Sequence, residues 1–334
     1  MEMLDIVGWD NGFGYEKIIT KDNKVKYPSV IHQPLLNNFL DINADTVFSE
    51  ENMLINYKGN DYYVGNKAIQ QSSSGGSSKF TNDKFKEDSE LVKFLAGLEL
   101  MVNNTNEIKI ENLALGLPNV SNFRKLKKEI IDTYSGQKFK YSVVGRGERE
   151  VFIDQVVCFP QGIGAFYDEI LDMQGNYVKK EMLNSRYGLI DIGVKTVDVF
   201  IAEGTDVIRD TVFNLQKGIV NAYKQVAAKL GVPFNIIQEN YIKGNDRIYY
   251  DGEHYIKNDC DMAFKNLAHT IYDEIQINWS EHMSRVEFIL LCGGGSVSLK
   301  ENLEDLFSKK IIMIDDPQFS NSRGYYKLTK MHKI

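Results

Sequence analysis

The stretches DNGFGYEK, Asp10 to Lys17, and DIGVKTVD, Asp191 to Asp198, decide how this chain is read. Each follows a short apolar strand, Leu4 to Trp9 in the first case and Gly188 to Ile192 in the second, and an aspartate closes that strand. A glycine-bearing turn then leads to a returning strand, Tyr15 to Thr20 or Thr196 to Ala202. A second polar turn, Lys21 to Asn23 or Glu203 to Thr205, opens a third strand, Val25 to Ile31 or Asp206 to Asp210. This is a β-meander written twice.

Further along each half the parallel continues. An apolar strand from Asn112 to Leu117 meets Gly116 and Pro118 and is followed by a lysine-rich helical stretch, Asn122 to Thr133. Val286 to Leu291 runs into Gly293, Gly294 and Gly295, with a helix from Leu299 to Phe307. The repeat predicts two related α/β domains, 1–170 and 171–334, each bearing an Asp-x-Gly hairpin. A cleft between such domains is a favoured ligand site. Two stretches read as insertions that form smaller subdomains. Residues 32–84 contain a hairpin-like Met53 to Val64 and the tract QQSSSGGSS at 70–78, a mobile connection by composition. Residues 215–278 combine a helix, Lys217 to Leu230, with a hairpin at Asp251 and Gly252. The group Tyr249, Tyr250, His254 and Tyr255 reads as packing within that hairpin. The last helix, 317–334, is expected to pack back on the first domain.

Four motifs can carry chemistry. In DNGFGYEK, Gly12 and Gly14 let backbone N–H groups converge on an anion, Lys17 can reach a phosphate, and Asp10 can hold hydrated magnesium. In DIGVKTVD, Asp191 repeats the placement of Asp10, Thr196 can bond a phosphate oxygen, and Asp198 reads equally as a cap of the hairpin. Two carboxylates suit magnesium, which keeps most of its waters. In LLCGGGS, Leu290 to Ser296, three glycines between strand and helix are costly in chain entropy, and backbone lying against a nucleotide base or ribose supplies a reason. In FPQGIGAF, Phe159 to Phe166, Pro160 ends a strand and a helix starts near Gln161, whose amide can orient a water.

Composition narrows the field. The 334 residues suggest about two domains, and 43% hydrophobic with 25% charged residues is ordinary for a globular protein. A net charge of −7 argues against direct binding of nucleic acid. Cys158, Cys260 and Cys292 form no CxxC pair; Cys158 and Cys292, each in an apolar run, read as buried thiols, and this usage fits a reducing cytoplasm. The opening MEMLDIVGWDNG lacks the pattern of a signal peptide, and no apolar run reaches the ~18 residues that a bilayer requires. A soluble cytoplasmic protein with no membrane contact is therefore expected. The five histidines show no metal-ligand spacing, and neither GxxxxGK[ST] nor GxSxG occurs.

In this order, the two hairpins, the Pro-Gln helix start and the GGG turn resemble the actin superfamily of ATPases, which includes the Hsp70 chaperones and the sugar kinases. The resemblance implies the ribonuclease H-like fold, with two α/β domains flanking a nucleotide cleft. DNGFGYEK and DIGVKTVD look like the first and second phosphate loops, LLCGGGS like the adenosine loop. FPQGIGAF and DPQFSNSRGY, Asp316 to Tyr325, look like the two connecting helices. The D-N-G-x-G-x-x-K loop, the LGLP at 115–118 and the DPQFSNSRG ending narrow it to plasmid-segregation actins of the ParM type and their archaeal relatives.

On that resemblance Asn11, Gly12, Phe13, Gly14, Tyr15 and Lys17 bind phosphate, together with Gly193, Val194, Lys195 and Thr196. Lys217, Gly293, Gly294, Gly295 and Ser296 hold adenosine. Asp10 and Asp191 hold Mg²⁺ through water, and Gln161 positions the attacking water. Val194 departs from the family, which commonly has a small residue there; a branched side chain disfavours positive φ, so a different turn is expected. The implied activity is a filament-forming nucleotidase that polymerises with Mg-ATP or Mg-GTP, self-associates head to tail and moves DNA through a DNA-binding adaptor. The alternative is a small-molecule kinase of the same superfamily. A chaperone would need a peptide-binding domain, and a membrane-tethered actin would need an amphipathic anchor; neither is expected.

Overall fold

The computed structural model describes residues 1–34, 47–71, 87–118 and 122–333. The chain divides into two units, Met1–Val178 with Phe319–Ile334, and Lys179–Gln318. From residue 72 onward, the tract expected to be a mobile connection over 70–78 lies outside the described residues.

The first unit begins with the meander β1 (Glu2–Asn11), β2 (Tyr15–Ile19) and β3 (Lys24–Pro28), followed by β4 (Ile31–His32), β5 (Met53–Tyr57), β6 (Asn60–Val64), α1 (Asn66–Gln71) and α2 (Asp88–Glu99). Then come β7 (Glu107–Leu117), α3 (Phe123–Tyr134), β8 (Gln137–Val143), β9 (Gly147–Pro160) and α4 (Ile163–Ile170). These strands form one sheet in the order β3-β2-β1-β7-β9-β8-β5-β6-β4. β1, β7 and β9 are parallel neighbours at its centre, so their C-terminal ends share one sheet edge. Parallel strands are buried on both faces, and β1 is fully buried from Ile6 onward. On one face Val7, Trp9 and Ile18 pack with the apolar side of α2, Trp9 lying 4.8 Å from Phe94 between ring centroids. On the other, Ile6, Ile19 and Ala114 meet Tyr325 and Tyr326.

In the second unit β10 (Arg186–Ile192), β11 (Val197–Glu203) and β12 (Asp206–Leu215) form the meander, and α5 (Val220–Leu230) and α6 (Phe234–Ile242) follow. Next are the hairpin β13 (Arg247–Tyr249) and β14 (Glu253–Tyr255), α7 (Lys257–Asn278), β15 (Phe288–Cys292), α8 (Ser296–Leu306) and β16 (Lys310–Met313). The sheet order is β12-β11-β10-β15-β16, with β10, β15 and β16 parallel. It repeats β3-β2-β1-β7-β9 of the first unit strand for strand, as the twice-written meander predicts. Trp279 at the end of α7 is fully buried, and its indole N–H donates to the Thr211 carbonyl at 2.9 Å.

α9 (Ser320–His332) belongs to the first unit and packs on α4 and β1. Gly164 and Gly324 bring the two helices so close that a Cβ on Gly324 would fall on the Gly164 carbonyl. Two further residues of the DPQFSNSRG motif serve the same seam. The Asn321 amide oxygen accepts from Ala165 N at 3.3 Å, and the Arg323 guanidinium grips the buried Asp168 through both carboxylate oxygens at 2.6 and 2.5 Å.

The structure corrects several local expectations. Pro160 closes β9, and the helix after it starts only at Ile163, because Gly162 takes φ +88° and turns the chain first. The helix expected from Lys217 begins at Val220. Tyr249 and Tyr255 do not pack inside their hairpin: they are 84% and 68% exposed, since the register places them on the outer face, opposite Ile248. Cys158 and Cys292 are buried, as expected, and so is Cys260. Among the described residues no helix is long and apolar enough to cross a membrane.

Candidate functional site

The first hairpin has two chemically different faces. Directly opposed residues of an antiparallel pair point to the same side, and the register pairs Asp10 with Lys17 and Asn11 with Glu16. On the first face the Lys17 ammonium meets Asp10 Oδ2 at 2.7 Å. At the turn, Gly12 N donates to the Asp10 carbonyl at 3.1 Å, and Ser29 N donates to the Gly14 carbonyl at 2.9 Å. Phe13, Gly14 and Tyr15 are half-buried. The Lys26 ammonium lies 5.1 Å from the Tyr15 ring centroid, and burial pushes the Tyr15 phenol above its usual range.

Gln161 lies on the same sheet edge as Asp10. Its N–H donates to the Leu117 carbonyl at 2.7 Å, so it follows β9 directly past the end of β7. Two strand spacings, about 10 Å, separate its backbone from the first turn. The structure therefore collects Asp10, the turn residues, Lys17 and Gln161 at the C-terminal edge of three parallel strands, the edge where ligands bind in open α/β sheets.

Asp191 and Asp198 are cross-strand partners in the second hairpin, the places that Asp10 and Lys17 hold in the first. The Asp198 carboxylate accepts from the Asn214 amide at 2.6 Å, which ties β11 to β12. Between them the chain turns with Gly193 N donating to the Thr196 carbonyl at 2.8 Å. The carbonyls of Gly193, Val194 and Lys195 accept in turn from Ile219, Val220 and Gly218 at 3.1, 2.9 and 2.8 Å. In a trans peptide the N–H points opposite to the C=O. The N–H groups of Val194, Lys195 and Thr196 therefore all point away from α5, a local concavity of donors suited to an anion. Val194 does not take a positive φ; a branched side chain is accommodated because the start of α5 holds the turn. Lys195 is half-buried, and burial, with the charge of Lys224 added, lowers its ammonium below the usual range.

The GGG loop meets the same hairpin. Gly293 takes φ +83° beside Asp191, where a Cβ would collide with the carboxylate, and its N–H donates to the Pro317 carbonyl at 3.0 Å. Gly295 N donates to the Ile192 carbonyl at 2.8 Å, and its bare Cα abuts the Ile192 side chain. Packing thus accounts for two of the three glycines. Gly294 is exposed, and among the described residues a Cβ there would meet only the Gln318 side chain. The Ser296 hydroxyl is buried and donates to the Gly293 carbonyl at 2.7 Å. Lys217 is exposed and stands immediately before Gly218, at the tip of the second hairpin. Asp191, the donor tip, Lys217 and the GGG loop are thereby assembled within one unit.

The sequence reading left out the rear face of the first hairpin. There the Asn11 amide donates to Glu90 at 2.7 Å, and Lys93 bridges Glu90 and Glu16 at 2.9 and 3.0 Å. Burial opposes the charge on Lys93, but the two carboxylates outweigh it and hold the ammonium above its usual range. The available signal was a lysine inside the apolar run LVKFLAGL, three residues after a glutamate.

Residues 8–164 match the family described as actin like proteins, N-terminal domain. Residues 189–305 match the archaeal actin homologue MreB-like family, C-terminal. An archaeal actin homolog of Thermoplasma acidophilum is 25% identical over 191 residues, 53% of this chain. The matched stretch spans 55% of that relative, about half its length. A crystal structure of an archaeal actin homolog in complex with ADP superposes with a TM-score of 0.76 at 19% identity, over 98% of this chain and 99% of that one. A 15-stranded ParM filament from Clostridium botulinum gives 0.76 at 21% identity over the whole of both chains. Solved neighbours reach TM-scores of 0.73 to 0.82. At such identities these likenesses establish the fold.

Proposed function

We propose that this chain, whose residues 8–164 and 189–305 match actin-like families, is a ParM-type protein of the actin superfamily that binds Mg-ATP or Mg-GTP, hydrolyses the β–γ phosphoanhydride and polymerises head to tail. The observation that carries the reading is the hairpin pair. Each unit carries an aspartate as the last-but-one residue of its first parallel strand, and the second hairpin turns three successive N–H groups away from α5 beside Asp191.

Lys17 supplies positive charge to the phosphates, and the N–H groups of Val194, Lys195 and Thr196 bond their oxygens. The turn from Asn11 to Tyr15 contributes backbone donors. Gly294 is the glycine of its loop left open to a base or ribose, flanked by Gly293, Gly295 and Ser296, and Lys217 adds charge at the rim. Asp10 and Asp191 offer hard carboxylate oxygens, which fit hydrated magnesium; bound there, the ion would neutralise charge on the phosphates. Gln161 orients the attacking water. A heterologous contact that does not close produces an open polymer, and this is the assembly proposed here. With a net charge of −7, DNA is engaged through a DNA-binding adaptor at filament ends, as part of DNA segregation in the cytoplasm.

The test is right-angle light scattering recorded with phosphate release after Mg-ATP or Mg-GTP is added. Scattering should rise above a critical concentration and decay as phosphate appears. Asp191→Ala should abolish phosphate release, and Gln161→Ala should slow it. Flat scattering, with turnover only in the presence of a small hydroxyl acceptor, would replace this reading with the kinase.

A further inference from the structure

Behind the first hairpin lies a buried polar network that its front face does not use. Trp9 and Asn11 of β1 and Glu16 of β2 point to one side, toward α2, while Asp10 and Lys17 point to the other. The Trp9 indole N–H donates to Glu16 Oε2 at 2.8 Å. Lys93 Nζ donates to Ser29 Oγ at 2.8 Å, and that hydroxyl donates to Glu16 Oε1 at 2.5 Å. Lys93 also reaches Glu90 Oε1 at 2.9 Å, and Glu90 Oε2 receives the Asn11 amide at 2.7 Å. Each of these side chains is more than nine-tenths buried.

Two carboxylates and one ammonium leave this network with one excess negative charge. Lys93 and Glu16 would form a neutral pair without Glu90. A buried charge beyond neutrality costs free energy unless it makes specific bonds, and the bond that Glu90 alone adds to the hairpin is the one to Asn11. Asn11 is the last residue of β1 and adjoins Gly12, so its side-chain amide is the handle by which α2 can hold the turn. The opposite end of the same helical turn is tied as well, since Asp88 receives the Lys58 ammonium from the β5–β6 turn at 2.8 Å.

We propose that Glu90 is a positioning residue for the first hairpin: it holds the Asn11 amide from behind and thereby sets where the turn and the Asp10–Lys17 face stand relative to bound phosphates. The role in binding rests on the nucleotide reading above; the hold on the turn does not. Helix α2, far from the hairpin in sequence, is then part of the site's geometry.

The test compares Glu90→Ala and Glu90→Gln in the full chain by hydrogen exchange without nucleotide and by titration with a fluorescent Mg-ATP analogue. Glu90→Ala leaves Lys93 neutralised by Glu16 and should fold. Exchange of the 10–17 amides should rise about tenfold while β7 and β9 keep their protection, and nucleotide affinity should fall about tenfold. Glu90→Gln, which keeps an oxygen to accept from Asn11 but turns its NH2 toward Lys93, should recover part of both. Wild-type exchange over 10–17 in Glu90→Ala would overturn the proposal, and so would an equal effect of both variants. A wild-type chain that binds no nucleotide would sink the nucleotide reading alone, because the exchange comparison still decides whether Glu90 holds the turn.

Discussion

Asp10 and Lys17 stand opposite one another across the first hairpin and close a 2.7 Å ion pair, whereas the same two places in the second hairpin hold Asp191 and Asp198. One hairpin carries its own countercharge and the other carries two carboxylates. The two hairpins share this cross-strand pairing, but the first balances its aspartate across it and the second does not.

Lys17→Met should therefore weaken Mg-nucleotide binding by tenfold to a hundredfold, because a charge-assisted bond to phosphate contributes about 1.5–3 kcal/mol. The loss of folding stability should be smaller, as water still reaches the pair. Nucleotide titration set beside thermal melting checks this, and unchanged affinity would remove Lys17 from the site.

Gly293 and Gly294 should respond differently to alanine. At φ +83° beside Asp191, Gly293→Ala adds backbone strain and displaces the carboxylate, at a cost of about 1–3 kcal/mol. Gly294→Ala, on an open backbone, should leave the melting temperature within experimental scatter yet reduce nucleotide affinity. Melting curves and titrations of the two variants check both.

The seam between α4 and α9 should be intolerant of a single methyl group. Gly324→Ala drives a Cβ into the Gly164 carbonyl, backbone against backbone, so relief requires the helices to part. Overpacking of this kind costs about 1–3 kcal/mol or more. Chemical denaturation checks it, and an unchanged midpoint would show that the helices can separate freely.

Burial pushes the Cys158 and Cys260 thiols up to about 12 from an ordinary value of 9.0. Both should resist thiol reagents in the folded protein at pH 8 and react once it unfolds. The sign for stability follows. The unfolded thiols release protons from about pH 9 upward while the folded ones keep theirs, so these groups destabilise the fold as pH rises from 9 toward 12 and have no effect below. A thiol count at pH 8 and denaturation curves across pH 8–11 check both statements.

The twice-written meander was legible because strand alternation and turn chemistry are local properties, and the sheet orders β3-β2-β1-β7-β9 and β12-β11-β10-β15-β16 repeat it. Motif positions were legible for the same reason: glycine and aspartate announce a turn wherever the turn lies. The exposed Tyr249 and Tyr255 were misread because a two-stranded hairpin hides only one face, and which face depends on a register that composition does not state.

The sequence by itself determined the architecture, the doubled hairpin and the glycine-rich loop, since each rests on neighbours a few residues apart. Only tertiary structure decided what those parts do to one another. The accommodation of Val194 depends on the start of α5, 24 to 26 residues onward, whose N–H groups hold the turn's carbonyls. Two of the three glycines owe their place to Asp191 and Ile192, about a hundred residues earlier. Glu90 and Lys93 came to lie behind the first turn because the sheet's rear face brings α2 there. Contacts of that reach depend on how helices and strands pack, and packing leaves no periodic trace in the chain.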